Sequence, residues 1–199
     1  MCSSDLTAVN VLRSLREGVT TRQTDTISRW FAKARRQDPD AAGLALLFAD
    51  FVAATGSHDE VVKIYRDLLA REDISPHHAA VVANNLAFQL AEPETAEEAG
   101  KLIEDALAEL GPHPDVLDTR GTVMLAAGRP QEAVADLEEA VLAPTAAKYL
   151  HLASALARQQ QRDKARSALA KAKEIGFTPG QLAEGDRRRL TQLDEILAE

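Results

Sequence analysis

The sequence predicts an all-α fold of stacked helix hairpins, and three features point there. First, small or apolar residues recur at Ile27, Val61, Ala99, Ala133 and Ala165, at steps of 34, 38, 34 and 32 residues, each opening the buried face of a second helix. A hairpin repeated at that period cannot bury its apolar face alone and stacks on its neighbours, so the 199 residues count repeats rather than domains. Second, alanine and leucine dominate the apolar residues while aromatics reach only 4%. That balance favours close helix packing over sheets, which prefer aromatic and β-branched side chains. Third, glycine and proline punctuate the chain between the periodic segments, as in Gly128-Arg129-Pro130 and at Pro93 and Pro144.

Taken in order, the first unit spans about 8–39. Val11, Leu15 and Val19 make a loose first helix, and Ile27, Phe31 and Ala34, followed by Pro39, make a better second one. The second unit, 42–73, sets Phe48, Ala49 and Val52 before Gly56, then Val61, Tyr65 and Leu68. Four extra residues within 74–79 account for the 38-residue step. In the third unit, 80–111, Leu86, Ala87 and Leu90 face Ala99, Ile103 and Ala106 across a turn at Glu92-Pro93-Glu94-Thr95. Thr95 is expected to cap the following helix, with Glu98 completing a capping box.

The fourth unit, 114–144, is the clearest. Leu117, Gly121 and Met124 precede the glycine turn, and Ala133, Leu137 and Ala140 follow it, at helical spacings of three, four and seven, before Pro144 stops the helix. Glycine or alanine at the crossing point lets two helix axes approach closely. The fifth unit, 146–177, aligns Tyr149, Leu152, Ala153 and Leu156 with Ala165, Leu169 and Ala172, although its turn is Gln159-Gln160-Gln161 and lacks glycine. The tail, 178–199, opens on a Thr178-Pro179 turn. Asp186 is expected to cap a last helix whose stripe of Leu190, Leu193, Ile196 and Leu197 is backed by Arg187, Arg188, Gln192 and Glu195.

The unit PDVLDTRGTVMLAAGRPQEAVADLEEAVLAP, from Pro114 to Pro144, resembles a tetratricopeptide repeat, or TPR. It matches the large, small, large pattern of that repeat's first helix and the alanine, large, alanine pattern of its second. It departs in having Leu117 and Met124 where aromatics are commoner, and in a final loop one residue shorter. The resemblance covers roughly Ala8 to Glu199. It implies a right-handed α-solenoid of about five units, with the tail as the solvating helix that ends many such arrays. The chain is then a non-catalytic scaffold that binds a peptide or partner protein.

Composition limits the alternatives. With 23 Lys+Arg against 31 Asp+Glu the net charge is −8, which disfavours phosphate backbones and anionic lipid, so nucleic acid is not an expected partner. No run approaches the roughly 20 apolar residues of a membrane span. The lone Cys2 excludes an internal disulfide and a thiolate zinc site. No HExxH, glycine-rich phosphate loop or GxSxG elbow occurs, and His77 and His78, adjacent on a helix, point about 100° apart. No cofactor, metal or catalytic constellation is expected. The acidic pairs Glu97-Glu98 and Glu138-Glu139 and the run Arg187-Arg188-Arg189 read as solvated helix faces.

Met1-Cys2-Ser3-Ser4-Asp5-Leu6 reads as a translated sequencing-adapter end, so 1–6 is set aside as a non-native scar. On that reading the chain is the C-terminal fragment of a longer bacterial TPR-containing protein, with any targeting signal lost upstream and the cytoplasm as the expected compartment. A second reading, alternative to the free-standing scaffold, makes the array the regulatory or assembly tail of a larger enzyme or secretion or assembly protein whose active domain lies upstream. A third reading is self-association through the open N-terminal face.

In TPR arrays the first helices line the concave face, and side chains there that do not pack between repeats meet the ligand. The resemblance carries this role onto Leu46, Asp50, Asn84, Asn85, Phe88, Asp118, Thr119, Thr122, His151, Ser154 and Arg158. Asn84-Asn85 either holds the backbone of an extended peptide through its amides or simply repeats consensus residues. Asp50 and Asp118 beside a single Arg158 argue against a clamp for a peptide's terminal carboxylate.

Overall fold

The computed structural model describes residues 42–55, 58–176 and 184–198, with Arg29 and Lys33; the expected first unit otherwise lies outside the described residues. Among the described residues there are nine helices and no strand. The chain divides into two compact units, Met1–His78 and Ala79–Glu199.

In the first, α1 (Ala42–Thr55) packs on α2 (His58–Leu69). Ala49, Phe51 and Val52 on one helix and Val61, Val62, Tyr65 and Leu68 on the other are buried, the three- and four-residue spacings putting each set on one face. Asp59 and Glu60 sit in the first turn of α2 and Arg66 in its last, matching the helix dipole.

The unit boundary falls inside α3 (Pro76–Gln89), which starts four residues before the position expected from the repeat. Pro76 at its first position suits a helix start, and Ser75 Oγ accepts from His78 N at 3.2 Å. His77 and His78 therefore lie in a helical first turn and are exposed.

The second unit continues with α4 (Ala96–Leu110), α5 (Pro114–Ala126), α6 (Pro130–Ala140), α7 (Ala146–Arg158), α8 (Arg162–Ile175) and α9 (Glu184–Ala198). Ala87, Ala99, Ile103, Ala106, Ala133, Leu137, Ala140, Ala153, Ala165 and Ala172 are all wholly inaccessible. The tightest approach is at Gly121, where a Cβ would stand 2.6 Å from Leu137 Cγ and 3.1 Å from the Ala133 carbonyl. That explains why this crossing takes no side chain. Arg120 staples the edge of the same hairpin, donating to both Asp136 carboxylate oxygens at 2.7 and 2.6 Å.

Two turns solve one problem with different residues. After α5, Gly128 has φ 72° and Arg129 N donates to the Met124 carbonyl; after α7, Gln160 has φ 61° and Gln161 N donates to the Leu156 carbonyl, both at 2.9 Å. The hydrogen bonding overrides the preference of glutamine for negative φ.

The capping box expected at Thr95 does not form. Its side chain makes no cap bond to α4; instead Oγ1 donates back to the Leu90 carbonyl at 2.7 Å, closing the turn behind it. Helix α6 ends at Ala140, four residues before Pro144. No helix among the described residues is long and apolar enough to cross a membrane.

Candidate functional site

Helices α3, α5 and α7 are the first helices of successive hairpins, and their shared register places equivalent residues in rows. Asn85, Thr119 and His151 form one row and Phe88, Thr122 and Ser154 the next, at steps of 34 and 32 residues. Three of these residues are polar and small because the surface they line is covered. Thr119, Thr122 and Ser154 are 4%, 1% and 8% exposed, and each hydroxyl donates to the carbonyl four residues back, on Asp115, Asp118 and Leu150.

The cover is α9. Leu193 is buried in one apolar cluster with Leu152, Ala153 and Leu156, and Leu190, Ile196 and Leu197 pack against it. The stripe read from the sequence is thus the inward face. Arg166 on α8 donates to the Leu197 carbonyl at 2.8 Å and satisfies the last turn.

Charged residues hold the other end of α9. Helix α9 begins at Glu184, so Asp186 lies inside it rather than capping it. Its carboxylate is 7% exposed and takes bonds from His151 Nε2 at 3.0 Å and Arg189 Nη1 at 3.0 Å. The other imidazole nitrogen, Nδ1, bonds Asp118 Oδ1 at 2.8 Å. Phe88 lies against the imidazole, ring centroids 5.8 Å apart, and the Arg189 guanidinium sits 5.7 Å from the same Phe88 ring. Arg188 reaches Glu92 at 2.8 Å. Two of the three arginines expected on a solvated face therefore turn back to the repeats, and Arg187 remains outward.

His151 is 1% exposed. Burial opposes its charged form, yet the carboxylates of Asp118 and Asp186 outweigh that cost and lift its pKa to about 9. Burial likewise works to raise the Asp186 carboxyl, but charged His151 and Arg189 hold it below the usual carboxylate range. Near neutral pH the cluster comprises two cations and two anions in a nearly dry seam. With both ring nitrogens engaged and the ring shut from solvent, His151 is not placed to act as a general base toward a substrate.

Beside α9 a cleft of about 130 Å3 remains, floored by Thr122, Leu125, Ala126 and Ser154 and edged by Glu92 and Arg158. One turn along α3 from Phe88, Asn84 Nδ2 donates to Asn85 Oδ1 at 3.1 Å, while the buried Oδ1 of Asn84 has no hydrogen-bond partner.

Of the residues expected on the ligand face, Phe88, Asp118, Thr122, His151, Ser154 and Arg158 are brought together around α9 and its cleft. Thr119 is buried in the same row of first-helix residues and Asn84 and Asn85 stand farther along α3. Leu46 and Asp50 belong to the other unit, where Leu46 is half-buried and the Asp50 side chain lies outside the described residues. The residues that the sequence did not single out for this site are Asp186, Arg188, Arg189 and Glu92. No group of three His, Cys, Asp or Glu side chains among the described residues is arranged to hold a metal ion.

No protein-family model and no curated protein matches the sequence. Solved structures do match in shape. A thermophilic TPR protein of Thermus thermophilus, TTC0263, is 19% identical with a TM-score of 0.67, covering 96% of this chain and 100% of that one. PilF of Pseudomonas aeruginosa is 21% identical with a TM-score of 0.62, over 98% and 86% of the two chains. A chain of the APC/C hetero-tetramer Cut9-Hcn1 is 18% identical with a TM-score of 0.68, over 96% of this chain and 42% of that one. The fold is that of TPR proteins, an all-α array of helix hairpins.

Proposed function

We propose that this chain is a non-catalytic scaffold that binds a peptide or partner protein on the face formed by α3, α5 and α7. The observation that carries the reading is that this face seats a helix, α9, through side chains rather than through repeat-to-repeat packing alone. Phe88 supplies an aromatic wall, Asp118 and His151 a charged anchor, and Thr119, Thr122 and Ser154 small residues that let a guest approach. The half-buried Asn84 and Asn85 side chains would offer amide groups to a peptide backbone, and Arg158 offers a cation at the edge of the cleft. In the first unit, Leu46 and Asp50 would serve the same role. A protein is favoured over nucleic acid because the net charge is −8.

The test is affinity capture from a lysate with the unaltered chain and with Asn84→Ala/Asn85→Ala, whose substitutions spare the α9 contacts. Loss of at least half the captured proteins is expected. An identical set would reject the face as the binding site.

A further inference from the structure

We infer that this face is built for an amphipathic helix of another protein carrying an aspartate, an arginine three residues on and a leucine four beyond that, and that such a helix enters by displacing α9. The inference rests on the scaffold reading above and names the class of partner. Asp186, Arg189 and Leu193 have that spacing in α9, and each meets a feature belonging to the repeats.

Asp118 and His151, on α5 and α7, are in contact without any help from α9. Their pairing turns His151 Nε2 toward the seat, where it bonds Asp186, and the ring donates from both nitrogens while it is protonated. A guest that brings a carboxylate of its own reproduces that protonated, doubly bonded ring. Arg189 answers two further requirements: it balances the second carboxylate, and it covers Phe88 while reaching the Ala91 carbonyl at 3.4 Å. Leu193 is buried in the same apolar cluster as Leu152, Ala153 and Leu156. An aspartate, an arginine and a leucine at these intervals fall on one helical face, so a single amphipathic helix supplies all three.

The fit of α9 is incomplete. The cleft of about 130 Å3 beside Thr122 and Ser154 is space that a helix with a larger residue at the position of Gln192 would fill. The resident helix satisfies the charges but leaves room for a guest that satisfies them and packs better.

The experiment uses a fluorescein-labelled peptide of residues 184–198, titrated by anisotropy into the full chain and into the full chain carrying Asp186→Ala, Arg189→Ala and Leu193→Asp, which frees α9. The freed chain is expected to bind the peptide at least about tenfold tighter than the unaltered chain, whose tethered α9 competes at high effective concentration. Asp186→Ala in the peptide is expected to weaken that binding by about thirtyfold, the cost of an unanswered buried charge. A freed chain that remains helical yet ignores the peptide, or that binds the aspartate and alanine peptides alike, overturns the inference. If the triple variant fails to fold, Asp186→Asn with Leu193→Ala, which removes the charge and the buried leucine and keeps helix-forming residues, carries the same comparison and the same two outcomes. A freed chain that ignores the peptide but retains its lysate partners overturns the inference and leaves the scaffold reading standing. Light scattering of the unaltered chain adds one outcome: dimers that grow with concentration would assign the seat to α9 of a second copy and overturn the claim of a different protein.

Discussion

Two seams in the second unit are of similar importance to its shape and opposite in construction. Between α5 and α6, Gly121 meets Leu137 with no room for a methyl group, and the one ion pair, Arg120 with Asp136, lies at the edge. Between α9 and the first helices, the contact at the N-terminal end of α9 is a buried imidazole with a carboxylate on each side, and the packing leaves a cleft. Apolar close packing is insensitive to pH and loses energy with each displaced methylene. A buried charge cluster is held only while every member keeps its protonation state and its partner. The first seam suits a permanent hairpin, the second a contact that opens.

The largest expected effect breaks the second seam alone. His151→Leu takes the shared cation from Asp118 and Asp186, leaving Asp186 with Arg189 alone, which should cost α9 docking about 4 kcal/mol. Amide hydrogen exchange should then show α9 unprotected while α5 and α6 remain slow; uniform loss across the unit would show that the seams are not separable. In the first seam, Gly121→Leu drives a side chain into Leu137 and should cost about 3 kcal/mol by overpacking. Its thermal melt should fall with α5 and α6 losing protection together, and an unmoved melt would mean that the crossing is looser than the 2.6 Å approach requires.

Acidity sharpens the contrast. The groups facing His151 are Asp118 from α5 and Asp186 from α9, with Arg189 beyond Asp186; α3 contributes the uncharged Phe88. Because folding raises the His151 pKa from 6.5 to about 9, its contribution is complete below pH 6.5 and disappears as pH climbs through 9. Up to about 3 kcal/mol of folding stability is at stake over that window, and α9 docking takes the share that Asp186 supplies. Asp186 acts in the other direction, contributing above its ordinary value of 3.8 and losing that contribution as pH falls through its lowered folded value. Protection of α9 should therefore be highest between about pH 4 and 6.5 and fall toward pH 10, more steeply than that of α5 and α6. Equal pH dependence in both seams would refute the contrast. The smallest effect lies outside either seam: Gln160→Gly relieves the positive φ that Gly128 adopts freely, and should stabilise the chain by about 1 kcal/mol in a denaturant titration.

The difference between the seams also explains what is legible in the sequence. Ala99, Gly121, Ala133 and Ala165 announce themselves because axial closeness demands small residues at one period, and the large residues between them follow the helical spacing. The stripe of Leu190, Leu193, Ile196 and Leu197 is readable for the same reason. Its destination is not, because a contact between His151 and Asp186 obeys no period. Asp186 has the chemistry of a helix cap, yet the helix begins two residues earlier and the carboxylate turns to a histidine. Thr95 departs from expectation in the same way, its hydroxyl finding the Leu90 carbonyl before the α4 backbone. Short polar side chains have several local partners of nearly equal energy, and tertiary packing decides among them. One signal does stand in the chain: His151 falls in a row otherwise filled by Asn85 and Thr119, and a titratable residue in that row, one repeat after Asp118, needs a second acid from elsewhere.

The Asp118, His151 and Asp186 cluster also constrains how this sequence can change over generations. Losing His151 first takes a partner from two acids, and losing either acid first leaves the buried imidazole with a single carboxylate, so a single step away from the trio passes through a poorer protein whichever residue moves. Neutral drift is then confined to paths in which Asp186 and His151 change nearly together, or in which α9 is abandoned as a whole. The three positions are bound into one inherited character, and the surrounding leucines, each replaceable by a neighbour of similar volume, are free to wander.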